Sequence, residues 1–289
     1  MLEKVIEVSV EAFIEHVRMQ RGWKTAKPYY YTLKKFESWL QDKGKTIDEF
    51  TVPDVELFMS GLVPRTANVF LSAIRRYARW RAENAITTEE FILEQRRLMG
   101  LYNVRPVKVP RQIKKEALNI DELAKLLDAV REDSVLYVAT VVHFYFGWRP
   151  IEGTVHFMEA QIHWDERYMI LKTAKAKHER ILPWAEEIDS YVREWYKIMK
   201  RLIKYKHPEE FYTKHIKPIA ENVLGFKITA RTARKTVETQ FRKRGIEQWK
   251  IDAILGHTTK IPDIYSDWTE LLEDLRVIME EKHYLLEVL

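Results

Sequence analysis

Thr229 to Tyr265 reads TARTARKTVETQFRKRGIEQWKIDAILGHTTKIPDIY. Arg231 and Arg234 stand three apart at a helix start, Leu255-Gly256-His257 follows, and Tyr265 lies just beyond. Between them Glu238 to Arg244 closes at Gly245 with basic residues in its last turn, the ordinary end of a helix. The segment is read as one site holding two guanidiniums, an imidazole and a phenol.

Upstream, Gly147-Trp148-Arg149-Pro150-Ile151-Glu152 adds an arginine with a carboxylate three residues on. It follows Ser134 to Phe146, apolar nearly all round as a core helix is, with Gly147 in the C′ position. Gln161 to Trp164, Tyr168 to Lys172 and Arg180 to Pro183 are short β-rich runs, which predict a small antiparallel sheet. Ile188, Tyr191, Val192, Trp195, Ile198 and Leu202 form a helical stripe, and Asn119 with Glu122 makes a capping box before Leu123, Leu126 and Leu127.

The other half, from Val8 to about Gly100, is helical throughout, with Leu33, Phe36, Trp39 and Leu40 on one stripe and Phe70, Ala73, Ile74, Tyr77 and Ala78 on another. Asp54 to Gly61 is a short helix ending at Gly, and Pro64 opens the next. Between the halves, Asn103 to Lys115 carries Pro106, Pro110, Arg105, Lys108, Arg111, Lys114 and Lys115, with little apolar periodicity. This is the pattern of an extended basic linker, either simply solvated or set along a phosphate backbone. The expected organisation is a helical domain over 1–102, a linker over 103–117, and a mixed domain over 118–289, mainly α with a small antiparallel sheet.

Composition agrees with two cores and a polyanionic partner. The chain of 289 residues is 46% hydrophobic and 12% aromatic, and its formal charge is +5. Cysteine is absent, which excludes disulfides, thiolate zinc sites and cysteine nucleophiles. No long apolar run or signal peptide is read, so a cytoplasmic location is expected, and high Lys and Glu content hints at a heat-adapted source.

Taken in order, these elements resemble the tyrosine recombinases, the family of phage-type integrases and Xer resolvases. The resemblance implies an all-α core-binding clamp, a basic linker and an α+β catalytic domain. It also implies exchange of double-stranded DNA through a 3′-phosphotyrosine and a Holliday junction, by a dimer or tetramer without metal or cofactor. By position, Arg149 and Arg234 are the two catalytic arginines, His257 the histidine of Leu-Gly-His, and Tyr265 the nucleophile. The hairpin lysine aligns best with Lys175, with Lys172 and Lys177 open as alternatives. A terminal helix that docks into a neighbouring protomer is implied for the apolar stripe after Tyr265.

The chemistry suits these residues whatever the name. Attack at a phosphodiester gathers negative charge on the non-bridging oxygens, which two forked, permanently charged guanidiniums answer. A tyrosine stores the bond as a phosphodiester, and a lysine near other cations can protonate the leaving oxygen. The chain departs from the family in having Arg231 where a histidine is usual, and Lys235 after the second arginine. Arginine accepts no proton, so Arg231 serves only as a hydrogen-bond donor. Tyr265 then needs water, His257 or the cationic field to ionise.

Blander readings run beside these. His143 falls on an apolar helix and reads as a core histidine, and no metal-ligand spacing such as His-Glu-x-x-His is present. Arg75, Arg76 and Arg79 share a helix face that is either solvated or set against phosphates, with Lys24, Lys27, Lys34 and Lys35 as lesser candidates. Rival functions are a type IB topoisomerase-like nicking enzyme and a DNA-binding protein that lost activity.

Overall fold

The computed structural model describes residues 9–110, 116–174, 178–257 and 268–289. Two compact units, Met1–Gln112 and Ile113–Leu289, divide the chain.

The first unit is helical: α1 (Val10–Arg21), α2 (Trp23–Gln41), α3 (Val52–Ser60), α4 (Pro64–Glu83) and α5 (Thr88–Asn103). Aromatic rings build its core, with Phe58 between Phe36 and Phe70 at centroid distances of 5.1 and 5.0 Å. Such pairs add roughly 1 kcal/mol each to the burial itself. Pro64 opens α4, as its missing N–H and fixed φ favour. Glu94, its side chain 5% exposed, is paired with Arg97 at 2.5 Å and Arg81 at 3.0 Å, so the α4–α5 contact buries charge only in compensated form.

The second unit runs α6 (Ile120–Ala129), α7 (Ser134–Phe146), β1 (Gln161–His163), β2 (Tyr168–Lys172), β3 (Glu179–Pro183), α8 (Glu186–Leu202), α9 (Phe211–Leu224), α10 (Ala230–Lys243), α11 (Gln248–Leu255) and α12 (Trp268–Glu281). The strands form one antiparallel sheet in the order β1-β2-β3, with Leu171 opposite Arg180. The Asn119 capping box closes in both directions, at 3.0 and 2.8 Å. The apolar run of α7 is central to the core, and Phe144, Tyr145 and Phe146 are all fully buried.

The terminal stripe packs inside its own unit. Leu271, Leu275, Ile278, Met279, Tyr284 and Leu285 belong to the same core as α7. Tyr145 Oη donates to the Met279 carbonyl at 2.6 Å, and His283 Nε2 meets the Tyr145 carbonyl at 2.9 Å. Core packing therefore accounts for this face. Among the described residues no helix is long and apolar enough to cross a membrane.

Candidate active site

Local backbone rules place the first arginine. Gly147 ends α7 at φ +55°, and a Cβ there would fall 2.9 Å from both Val237 and Leu255, so glycine is required by conformation and by space. The chain then turns over buried Trp148, presents half-buried Arg149, and enters a π-helical turn over Glu152–His156. Glu152 is fully buried at the start of that turn.

Glu152 organises what surrounds it. Its Oε1 accepts from Arg149 Nη1 at 2.5 Å and from the Ala174 amide at 2.9 Å. Its Oε2 accepts from the Arg149 amide at 2.8 Å and from Arg180 Nη2 at 2.9 Å, and Arg234 Nη1 stands 3.9 Å away. Burial pushes this carboxyl up, but Arg180 first, then the amides of Ala174 and Arg149 and the Arg149 guanidinium, hold it below the usual carboxylate range.

Arg234, buried on the first turns of α10, donates through Nη1 to the Gly147 carbonyl at 3.1 Å and through Nη2 to the Leu255 carbonyl. It thus ties the end of α7 to the end of α11. Burial, then repulsion from Arg149 and Arg180, holds its guanidinium below the ordinary arginine range. Three guanidiniums sharing one carboxylate leave a surplus of positive charge in a poorly solvated place. That is a site in want of an anion.

His257 follows Gly256, which caps α11 at φ +61°. A Cβ on Gly256 would lie 2.7 Å from Thr173 Cγ2 and 2.9 Å from Arg180 Cδ, so glycine lets α11 close on the hairpin. His257 Nδ1 and Asp252 Oδ1 are 2.8 Å apart, and Gln248 Nε2 donates to the same oxygen at 2.9 Å. A carboxylate there fixes the ring orientation and makes Nδ1 the protonated nitrogen. Arg231, on the first turn of α10, is exposed.

The structure therefore gathers Arg149, Arg234 and His257 around one frame. Lys172 is exposed at the end of β2, while Lys175, Lys177 and Tyr265 lie outside the described residues. Sequence reading missed Arg180 and Asp252 and left Glu152 as an undecided neighbour. The one available signal for Asp252 was its place five residues before His257, one helical turn and a cap away.

The first unit holds a groove of about 640 Å³ that includes His16, Tyr29, Arg75, Arg76, Arg79 and Tyr102. Arg75 donates to the carbonyls of Leu101 at 2.8 Å and Val104 at 2.5 Å, closing the end of α5. Arg76 lies over the Tyr29 ring at 5.5 Å, and exposed Arg79 bonds to the Tyr102 hydroxyl. Lys34 is held between Glu11 and Glu37, whereas Lys24, Lys27 and Lys35 are exposed. Arg105 and Lys108 are also exposed, and Arg111 lies outside the described residues.

Comparison with known proteins agrees with this architecture. Residues 10–84 match the family model of the phage integrase N-terminal SAM-like domain. The fold is similar to that of a lambda integrase (75–356) dimer bound to a COC′ core site, with TM-score 0.62 and 14% identity over 86% of this chain and 94% of that one. A lambda integrase tetramer bound to a Holliday junction matches with TM-score 0.62 and 16% identity, over 90% of this chain and 81% of that one. XerH bound to its difH substrate matches with TM-score 0.57 and 14% identity, over 96% and 83%. No curated protein sequence matches. The chain has the tyrosine recombinase fold, a SAM-like helical module followed by the mixed α and β module that carries the site.

Proposed function

We propose, for a chain with the SAM-like module of phage integrases and the fold of lambda integrase and XerH, that it is a site-specific recombinase of double-stranded DNA. The observation that carries this reading is the cluster of Arg149, Arg180 and Arg234 around the single carboxylate of Glu152. Its surplus charge matches a phosphodiester better than any neutral substrate.

In the proposed reaction Tyr265 Oη attacks phosphorus in line and the P–O5′ bond breaks. The 3′-phosphate passes to the tyrosine, and the departing 5′-oxygen takes a proton from Lys175. Arg149 and Arg234 hold the non-bridging oxygens, Arg231 adds a donor, and His257, oriented by Asp252, stabilises the developing charge. Arg231 accepts no proton, so the cationic field has to favour the phenolate, with water or His257 taking the proton. The reverse attack by a 5′-hydroxyl of another strand regenerates tyrosine and needs no ATP. On paired sites held by a tetramer, a first exchange forms a Holliday junction and a second resolves it. Arg76, Arg79, Arg105, Lys108 and Arg111 would lie against phosphates.

A suicide duplex with a nick beside the cleavage point, its sequence selected by binding from a random pool, tests this directly. Covalent protein–DNA adduct is expected, and Arg149→Gln or Arg234→Gln should slow its formation by about 10² to 10³. Tight DNA binding with no adduct under any condition would overturn the enzyme reading. Relaxation of plasmids lacking any selected site would instead favour a topoisomerase.

A further inference from the structure

Arg180 has no part in the reaction just described, yet it is among the most enclosed charges of the second unit. It sits on β3 with its side chain 3% exposed, so it is shut off from a DNA substrate. Its guanidinium joins separate elements: Nη2 lies 2.9 Å from Glu152 Oε2, and Nη1 donates to the Ile254 carbonyl near the end of α11. Its Nε is buried without a hydrogen-bond partner, and its Cδ lies against Gly256 closely enough to exclude a Cβ there.

Stability alone does not explain an arginine at this place. Replacing a buried ion pair by apolar residues of similar volume is commonly neutral or stabilising, because two charges need not be desolvated. What an apolar residue would lose is geometry. Glu152 holds Arg149 through Nη1 and through its amide, and Arg180 is the cation held against the same carboxylate from the hairpin side. The geometry points to Arg180 as a positioning residue for the proposed strand transfer: through Glu152 it sets the guanidinium of Arg149, and through the Ile254 carbonyl it fixes the helix end that carries His257. Two groups aimed at one phosphate thereby share one anchor. The inference rests on the recombinase reading and assigns the residue a role in rate rather than in DNA affinity.

The test uses the full chain and the nicked suicide duplex, with Arg180→Met and Arg180→Lys beside wild type. First-order adduct formation is followed at saturating DNA, where the rate constant is independent of how much protein is folded and the final yield reports the active fraction. Arg180→Met is expected to lower the rate constant roughly a hundredfold, as displaced catalytic groups do, with Kd for DNA unchanged. Arg180→Lys, which keeps the charge but has only one arm, should fall between. Without its main cation, Glu152 should take up a proton at higher pH, so the acid limb of the rate profile should move to higher pH in Arg180→Met. Adding Glu152→Gln should cost less in Arg180→Met than it costs in wild type, since part of what Glu152 does runs through Arg180. A reduced yield with the wild-type rate constant and pH profile would reduce Arg180 to a structural residue and overturn the inference. Absence of adduct from wild type would instead overturn the recombinase reading beneath it.

Discussion

Glu152 shows how one enclosed side chain can draw separate elements together. It is fully enclosed, and Arg149, Arg180 and the Ala174 amide converge on its two oxygens. Glu152→Ala should therefore do more than delete an ion pair, because it strands Arg180 as an uncompensated buried cation. The expected loss is about 3 to 5 kcal/mol, read as a lower urea midpoint for the second unit. Glu152→Gln, whose single remaining oxygen can still accept two of the four hydrogen bonds, should lose less. Arg149, Arg234 and His257 were legible in the sequence because they sit in motifs at helix ends. Arg180 was not, since its partner Glu152 is 28 residues away and nothing in a short β-rich run marks one arginine as inward-facing. A burial of charge decided by tertiary pairing leaves no local pattern.

At the scale of elements, the helices and strands followed their punctuation. Gly147 and Gly256 ended α7 and α11, Pro64 opened α4, and Asn119 capped α6. The π-helical turn over Glu152–His156 was not foreseen, because it carries no sequence signature of its own. The arginine face of α4 divides into different tasks that spacing could not separate. Arg75 closes the carbonyl end of α5, so Arg75→Met should destabilise the first unit by about 2 kcal/mol in thermal unfolding. Arg76→Gln and Arg79→Gln should leave stability nearly unchanged. Each should weaken DNA binding about equally across sequences and reduce the salt slope by about 1. An unchanged salt slope would assign those arginines to the protein surface alone.

At the scale of the whole molecule, buried histidines make the second unit sensitive to acid. Burial holds His143 down to about 4 and His283 down to about 3, against 6.5 for an exposed histidine. As pH falls the unfolded chain binds these protons first, so the contribution to stability is full above about 6.5 and is lost as pH falls toward 4 and 3. His143→Phe keeps the stack on Tyr212, now 4.1 Å between centroids, and removes the titration. It should flatten the loss of stability below pH 6.5 by an amount on the order of 3 kcal/mol, measured by denaturant unfolding across pH. A wild-type slope in this variant would place the acid sensitivity elsewhere.

The same unit holds Arg149, Arg180 and Arg234 around Glu152, and the proposed function turns on what that cluster does to DNA. The most direct measurement is protease digestion of the covalent adduct trapped on a nicked duplex, followed by mass spectrometry of the DNA-linked peptide. One peptide is expected, with a 3′-phosphate esterified to Tyr265, and no adduct from Tyr265→Phe. Linkage at another residue, or an adduct that survives Tyr265→Phe, would contradict it.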